Sequence, residues 1–265
     1  MLRLFRAYPV LLRAYWQLAL EYRVQIVMWT LAGTYPLVMM AVWLNLARGG
    51  EINGFGPAQF VGYYLAVVWI RRITYIWVLD EIEERVRTGE LSAYLLRPLG
   101  LAHMLFTQVV SVRFFNALLV GSVISAIILI IPGQQWVVTP ANALAFCLVT
   151  PIGFLFEFFL QYIVGMLAFW TTQVYRIFDV FFFVKSLLGG FVVPLALMPP
   201  ALQAIAKWLP FQSSIALPAE ILIGQATPER VLSGALVSLA WVIGMASFSR
   251  WLWGRGLRSY SAVGA

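Results

Sequence analysis

The sequence predicts an all-α polytopic membrane protein. Three observations carry that reading. Of the 265 residues, 62% are hydrophobic and only 11% are charged. Several apolar stretches reach about 18 residues or more, the length at which a segment reads as a membrane-crossing helix. Soluble domains hold roughly 45–50% apolar and about 25% charged residues, and a soluble helical protein of the present composition would lack polar surface to cover itself. At roughly 20 residues per crossing, the length accommodates six transmembrane helices and their connections, with nothing left for a soluble catalytic domain.

The elements follow in order. Residues 1–22 predict an N-terminal interfacial helix: Pro9 is tolerated at a first helical position, Leu11, Leu12, Tyr15 and Ala19 share one face, and Arg13 and Gln17 lie on the other. A charged lead-in to the first span is the plainer reading. The arginines are spread through this segment with no small-residue cleavage site, so it is not expected to be a signal peptide. Spans are expected at 24–46, 58–79, 112–131, 141–170, 179–198 and 230–253. The first ends in the turn-rich ARGGEINGFGP, the third in IPGQQ, and the fifth is interrupted by Gly189, Gly190 and Pro194. Residues 80–111 form a loop. Residues 199–225 hold two short helical pieces, 201–209 and 214–223, each too short to cross, and predict a re-entrant hairpin.

Counting cations orients the chain. With the N-terminus cytoplasmic, that side receives twelve arginines, and the opposite side only Arg48, Lys207 and Arg230. Lys and Arg concentrate on the cytoplasmic side, so both termini and the 80–111 loop are expected there, with 199–225 outside. The same mapping removes nucleic acid as the reason for the net charge of +7, because the cations fringe apolar spans.

Catalytic and metal chemistry find little support. Cys147 is the single cysteine and His103 the single histidine, so neither a disulfide framework nor a metal cluster is expected. No G-x-x-x-x-G-K-[ST] is present and the two lysines, Lys185 and Lys207, lack a Gly-rich lead-in. ATP is therefore not expected to bind this chain by that motif.

One stretch departs from the apolar background. LDEIEERVRTGELSAYLLRPLG, residues 79–100, holds five of the eleven acidic residues and three arginines. Leu79, Ile82 and Val86 keep one apolar face, and Glu81–Arg85 and Glu83–Arg87 are i,i+4 pairs in the favourable order. The second span is expected to continue through them as a rigid cytoplasmic stalk. Gly89 is a candidate helix stop. Ser92 then caps a short helix, with Leu91 and Leu96 as a hydrophobic staple and Pro98 as its end. An ordinary solvated loop is the plainer reading, but the leucines on a capped short helix favour a partner-docking element.

RTGELSAYLLRPLG resembles the loop between the second and third spans of type-2 ABC exporter permeases, in the branch carrying G-x-L-S-x-x-L-L-R-P. LEYR at 20–23, FVVPLALMPPALQAIAKWLPF at 191–211, LPAEILIG at 217–224 and the terminal GLRSYSAVGA match in the same order. The resemblance implies that the loop carries a coupling helix gripped by an ATP-binding-cassette ATPase subunit, with contacts at Gly89, Glu90, Leu91, Ser92, Leu95, Leu96, Arg97 and Pro98. It implies that ATP and magnesium are bound by that partner, and that this chain holds no cofactor and is not itself an enzyme. It also implies a second permease chain, identical or related, lipid surroundings in the bacterial cytoplasmic (inner) membrane, and export of a hydrophobic or amphipathic substrate. The outer segment would help gate release, through Pro194, Pro210, Phe211, Pro218 and Gly224.

Charges within spans are read as functional by default. Arg71 and Arg72 lie late in the second span, Glu157 in mid-fourth and Lys185 early in the fifth. Glu157 is expected to pair with one of these cations, and these charges serve structural pairing or a partner-subunit contact ahead of a substrate contact. Lys185 could instead snorkel to the cytoplasmic interface. Two rival functions have requirements of their own. An integral membrane lipid-modifying enzyme needs converging His, Asp or Glu residues. An ion-coupled secondary transporter needs inverted repeats and several buried acids. Only Glu157 is visible as a mid-membrane acid, so neither rival is favoured.

Overall fold

The computed structural model describes residues 35–130 and 136–260, together with 13, 16 and 17. Among the described residues every regular element is helical: α1 (Tyr35–Leu46), α2 (Pro57–Thr74), α3 (Leu79–Arg87), α4 (Leu91–Leu95), α5 (Leu101–Ile130), α6 (Pro140–Met166), α7 (Val174–Leu188), α8 (Pro200–Trp208), α9 (Ala216–Leu222) and α10 (Pro228–Ser259). Short 3-10 turns extend α6 at Leu167–Phe169 and lie between α8 and α9 at Pro210–Ser214. The interfacial helix expected at 1–22, and the first part of the span at 24–46, fall almost wholly outside the described residues.

Three long helices start by one local recipe, with proline at the first helical position, where its missing N–H is not needed. Gln59 Oε1 accepts from the Gly56 N–H at 3.0 Å ahead of α2. Thr139 caps α6 by accepting from Asn142 N at 3.2 Å, and Thr227 caps α10 by accepting from Arg230 N at 3.2 Å. Among the described residues, two stretches are long and apolar enough to cross a membrane by length and composition, Pro140–Phe169 and Pro228–Ser259, with mean hydropathy 2.1 and 1.9.

α6 is the central element. α10 packs along it, and α2, α3, α9 and the Pro210–Ser214 turn also contact it. Glycine permits the close approach: a Cβ on Gly153 of α6 would lie 2.2 Å from the Ser213 carbonyl oxygen, and one on Gly165 would meet Ile82 of α3 at 3.0 Å. Phe156 and Phe158 of the FLFEFF run are buried packing residues. Phe156 meets Phe211 edge-on at 5.8 Å, and Phe158 lies against Phe106 and Tyr162.

Several expected boundaries are corrected. The second span does not run into the charged stretch, because α2 stops at Thr74 and α3 begins afresh at Leu79. Residues 101–111, expected in the loop, belong to the helix that continues to Ile130. The fifth span, expected at 179–198, is a 15-residue helix from Val174 to Leu188. That is about 22 Å at 1.5 Å per residue, less than a bilayer core. It ends where Gly190 takes φ +82°, a conformation glycine adopts at no steric cost.

Candidate functional site: the elbow and the coupling helix

The break between α2 and α3 takes residues 75–78 out of helix. The Tyr75 N–H still donates to the Arg71 carbonyl and the Val78 carbonyl still accepts from the Ile82 N–H, but the Ile76 carbonyl and the Val78 N–H, on two buried residues, are left without helical partners. Buried N–H and C=O groups must be satisfied, and one side chain does much of this. Gln161, fully buried on α6, donates from Nε2 to the Ile76 carbonyl at 2.7 Å and accepts at Oε1 from the Val78 N–H at 3.0 Å. On the α2 side, the Thr74 hydroxyl lies 3.2 Å from the Ile70 carbonyl and 3.1 Å from that of Ser214. Just past the break, Asp80 accepts from Trp77 Nε1 at 2.6 Å and from the Tyr175 hydroxyl. The stalk is thus an elbow fastened to α6 and to the start of α7, in place of one straight helix.

α3 leaves the elbow with Leu79, Ile82 and Val86 buried. Its outer face carries Arg85–Glu81 at 2.7 Å and Arg87–Glu83 at 3.2 Å, and Gln108 of α5 donates to Glu81. Gly89, at φ +81°, turns the chain after α3. The Tyr260 hydroxyl donates to its carbonyl at 2.8 Å and the Ser92 hydroxyl lies 3.0 Å from the same oxygen. Tyr260 is held in turn against Phe169, and Phe169 fills the space above Gly256. The end of α10 therefore props the turn that presents α4.

The eight residues expected at the docking contact divide into two groups. Leu91 is fully buried and anchors α4 inward, so it is corrected from a contact to a support. Nor does Ser92 cap the helix. Glu90 occupies the N-cap position with no side-chain cap bond, and Ser92 points back to Gly89. The Leu91–Leu96 staple is absent because Leu96 points away, 90% exposed. Leu95, Leu96, Arg97, Pro98 and Glu90 form the exposed tip, with Gly89 half-buried behind it. Tyr94 stiffens the tip, with the Arg85 guanidinium 4.8 Å and the Arg97 guanidinium 4.2 Å from its ring centre.

The intramembrane charges take definite places. Glu157 accepts from Lys185 Nζ at 2.8 Å with both side chains buried. Lys185 is thereby drawn inward and does not snorkel. Arg71 stacks on Tyr75 and Phe191, while Arg72, one residue on, is half-buried. The sequence reading omits a second buried acid: Glu220 of α9 meets Arg230 Nε at 3.2 Å, and Arg230 also donates to Gln212. Placing Glu220 in a short outer piece hides it. Of the expected gate residues, Pro194, Pro210, Phe211 and Pro218 are buried in packed chain and Gly224 is an exposed turn at φ +71°.

Sequence reasoning also passes over Gln161 and Tyr260. The first carries a signal, a lone amide inside the run FLQYIV, since a polar group in an apolar span needs a partner. Asp80 reads from sequence as part of a merely solvated face.

The family model described as ABC-2 family transporter protein matches residues 32–264, which include the elbow, the exposed tip, the buried pair and residues 199–225. No curated protein matches the chain. The chain belongs to the ABC-2 family of transporter membrane proteins.

Proposed function

We propose that this ABC transporter permease is the membrane subunit of an ATP-driven exporter, working with separate ATP-binding-cassette subunits and a second permease chain in the bacterial cytoplasmic membrane, both termini cytoplasmic. Its substrate is hydrophobic or amphipathic. The observation that carries the reading is the α4 tip. A five-residue helix, anchored by fully buried Leu91, holds Leu96 almost entirely in the open next to Leu95, Arg97 and Pro98. Exposing large apolar side chains on an anchored turn is unfavourable unless a partner covers them.

The elbow supplies the coupling step. A displacement of α4 by a closing ATPase pair reaches α3 through the Gly89 turn, and α6 through Gln161. A clamped joint passes a rigid-body push where a frayed one would absorb it. The 199–225 segment, whose latter half is packed against α6, is the element that gates release on the far side.

The test is purification with native partners followed by reconstitution in liposomes. The reading expects a Walker-A ATPase to co-purify and transport to require ATP inside the compartment that holds the α4 tip. Transport that persists without ATP and collapses with an ionophore would contradict it.

A further inference from the structure

Arg71 lies one turn before the elbow, with its guanidinium 4.9 Å from the centre of the Tyr75 ring and 4.3 Å from that of Phe191. These stacking contacts hold the plane but use none of its five N–H donors. Among the described residues, Arg71 makes no hydrogen bond or ion pair. Glu157, which lines the same cavity as Arg71, has its carboxylate held by Lys185 at 2.8 Å.

Arg71, Thr74, Tyr75, Glu157, Lys185 and Phe191 line a cavity of about 20 Å³. Two cations face one acid across it, and Arg113 adds a further positive charge 5.8 Å from the centre of the Tyr75 ring. The space holds one water-sized group. Buried Phe191 and Ile215 form its apolar wall, while partly exposed Arg71, Tyr75 and Ser186 leave it unsealed.

We propose that this cavity takes the anionic group of an amphipathic ligand, one carboxylate or phosphate oxygen entering against Arg71 while the apolar body lies outside along the neighbouring aromatic surface. A charge-assisted, planar donor fork suits either anion, and a cavity this size admits the tip of a molecule, not the whole. The inference rests on the permease reading above, and it narrows the cargo from hydrophobic or amphipathic to anionic and amphipathic.

The experiment measures binding of radiolabelled dodecyl phosphate and of dodecanol to the purified permease in phosphatidylcholine nanodiscs. Dodecyl phosphate is expected to bind about tenfold or more tightly than dodecanol. Arg71→Gln should erase that preference and leave dodecanol binding unchanged, while Arg71→Lys keeps part of it. Ser186→Glu, which places a carboxylate at the rim without altering Arg71, should erase it as well. Equal affinities in the unmodified protein would overturn the proposal, as would a preference surviving either Arg71→Gln or Ser186→Glu. Adding phosphatidylglycerol to the nanodisc separates the sources: competition marks a membrane lipid as occupant, and its absence marks transported cargo. ATPase co-purification, measured separately on the unmodified protein, keeps the two readings apart: a co-purifying ATPase with no charge preference would sink this inference alone, and a charge preference with no co-purifying ATPase would sink the exporter reading alone.

Discussion

The α4 tip and the Pro210–Leu222 segment are both short, broken helical stretches marked by proline, yet they have opposite fates. In the second segment every residue from Pro210 to Leu222 is buried. Its backbone presses so closely on α6 that Gly153 has no room for a Cβ, and Glu220, Gln212 and Arg230 form a closed polar set. In α4 only Leu91 is buried, and the four residues after Tyr94 face outward. Irregular backbone in an apolar chain is thus tolerated for two distinct reasons. One piece has its polar groups and its surface satisfied by the bundle. The other is fixed at its base and left uncovered at its tip.

Breaking the closed set should have the largest effect on stability. Arg230→Met leaves the Glu220 carboxylate buried without its cation. The expected loss is about 3 kcal/mol, the lower end for splitting a buried pair because Arg230 keeps some solvent contact; thermal unfolding of the purified protein checks it, and Glu220→Gln in the same chain should restore most of the loss. Next, Gly153→Ala drives a methyl group into the Ser213 carbonyl and should cost about 1–3 kcal/mol by overpacking. An unchanged melting temperature would show that α6 and the Pro210–Leu222 segment separate more readily than the structure indicates.

The elbow lies between the two extremes. Gln161→Leu fills similar volume but strands the Ile76 carbonyl and the Val78 N–H, and should cost about 1–3 kcal/mol. Its specific signature is faster hydrogen exchange at residues 75–78 and less substrate moved per ATP hydrolysed, whereas Gln161→Glu, which keeps an acceptor for Val78, should fall between. Equal exchange in all three proteins would remove Gln161 from the coupling path.

Much of this is legible in the sequence. Hydropathy suffices to mark α6 and α10, because bilayer crossing demands near-continuous apolar runs. The i,i+4 pairs of α3 and the Gly89 turn follow from local rules. What stays hidden depends on long-range partners. Thr74 to Val78 reads as uninterrupted helix until Gln161, more than eighty residues later, offers its amide. Tyr260 props Gly89 from across the chain, and Leu91 cannot be told from Leu95 or Leu96 until α3 and α5 are packed around it. The tip can be named from its pattern, but which of its leucines is support and which is surface cannot.

Coupling, as proposed, depends on exposed Leu96 gripping an ATPase while buried Leu91 only holds the helix. The most direct test is Leu96→Asp, with thermal stability and ATPase co-purification measured on the same preparation. At a 90% exposed position the stability should change by no more than about 0.5 kcal/mol, while the co-purifying ATPase falls at least about tenfold. A Leu96→Asp variant that retains both its stability and its full complement of ATPase would contradict that division of roles.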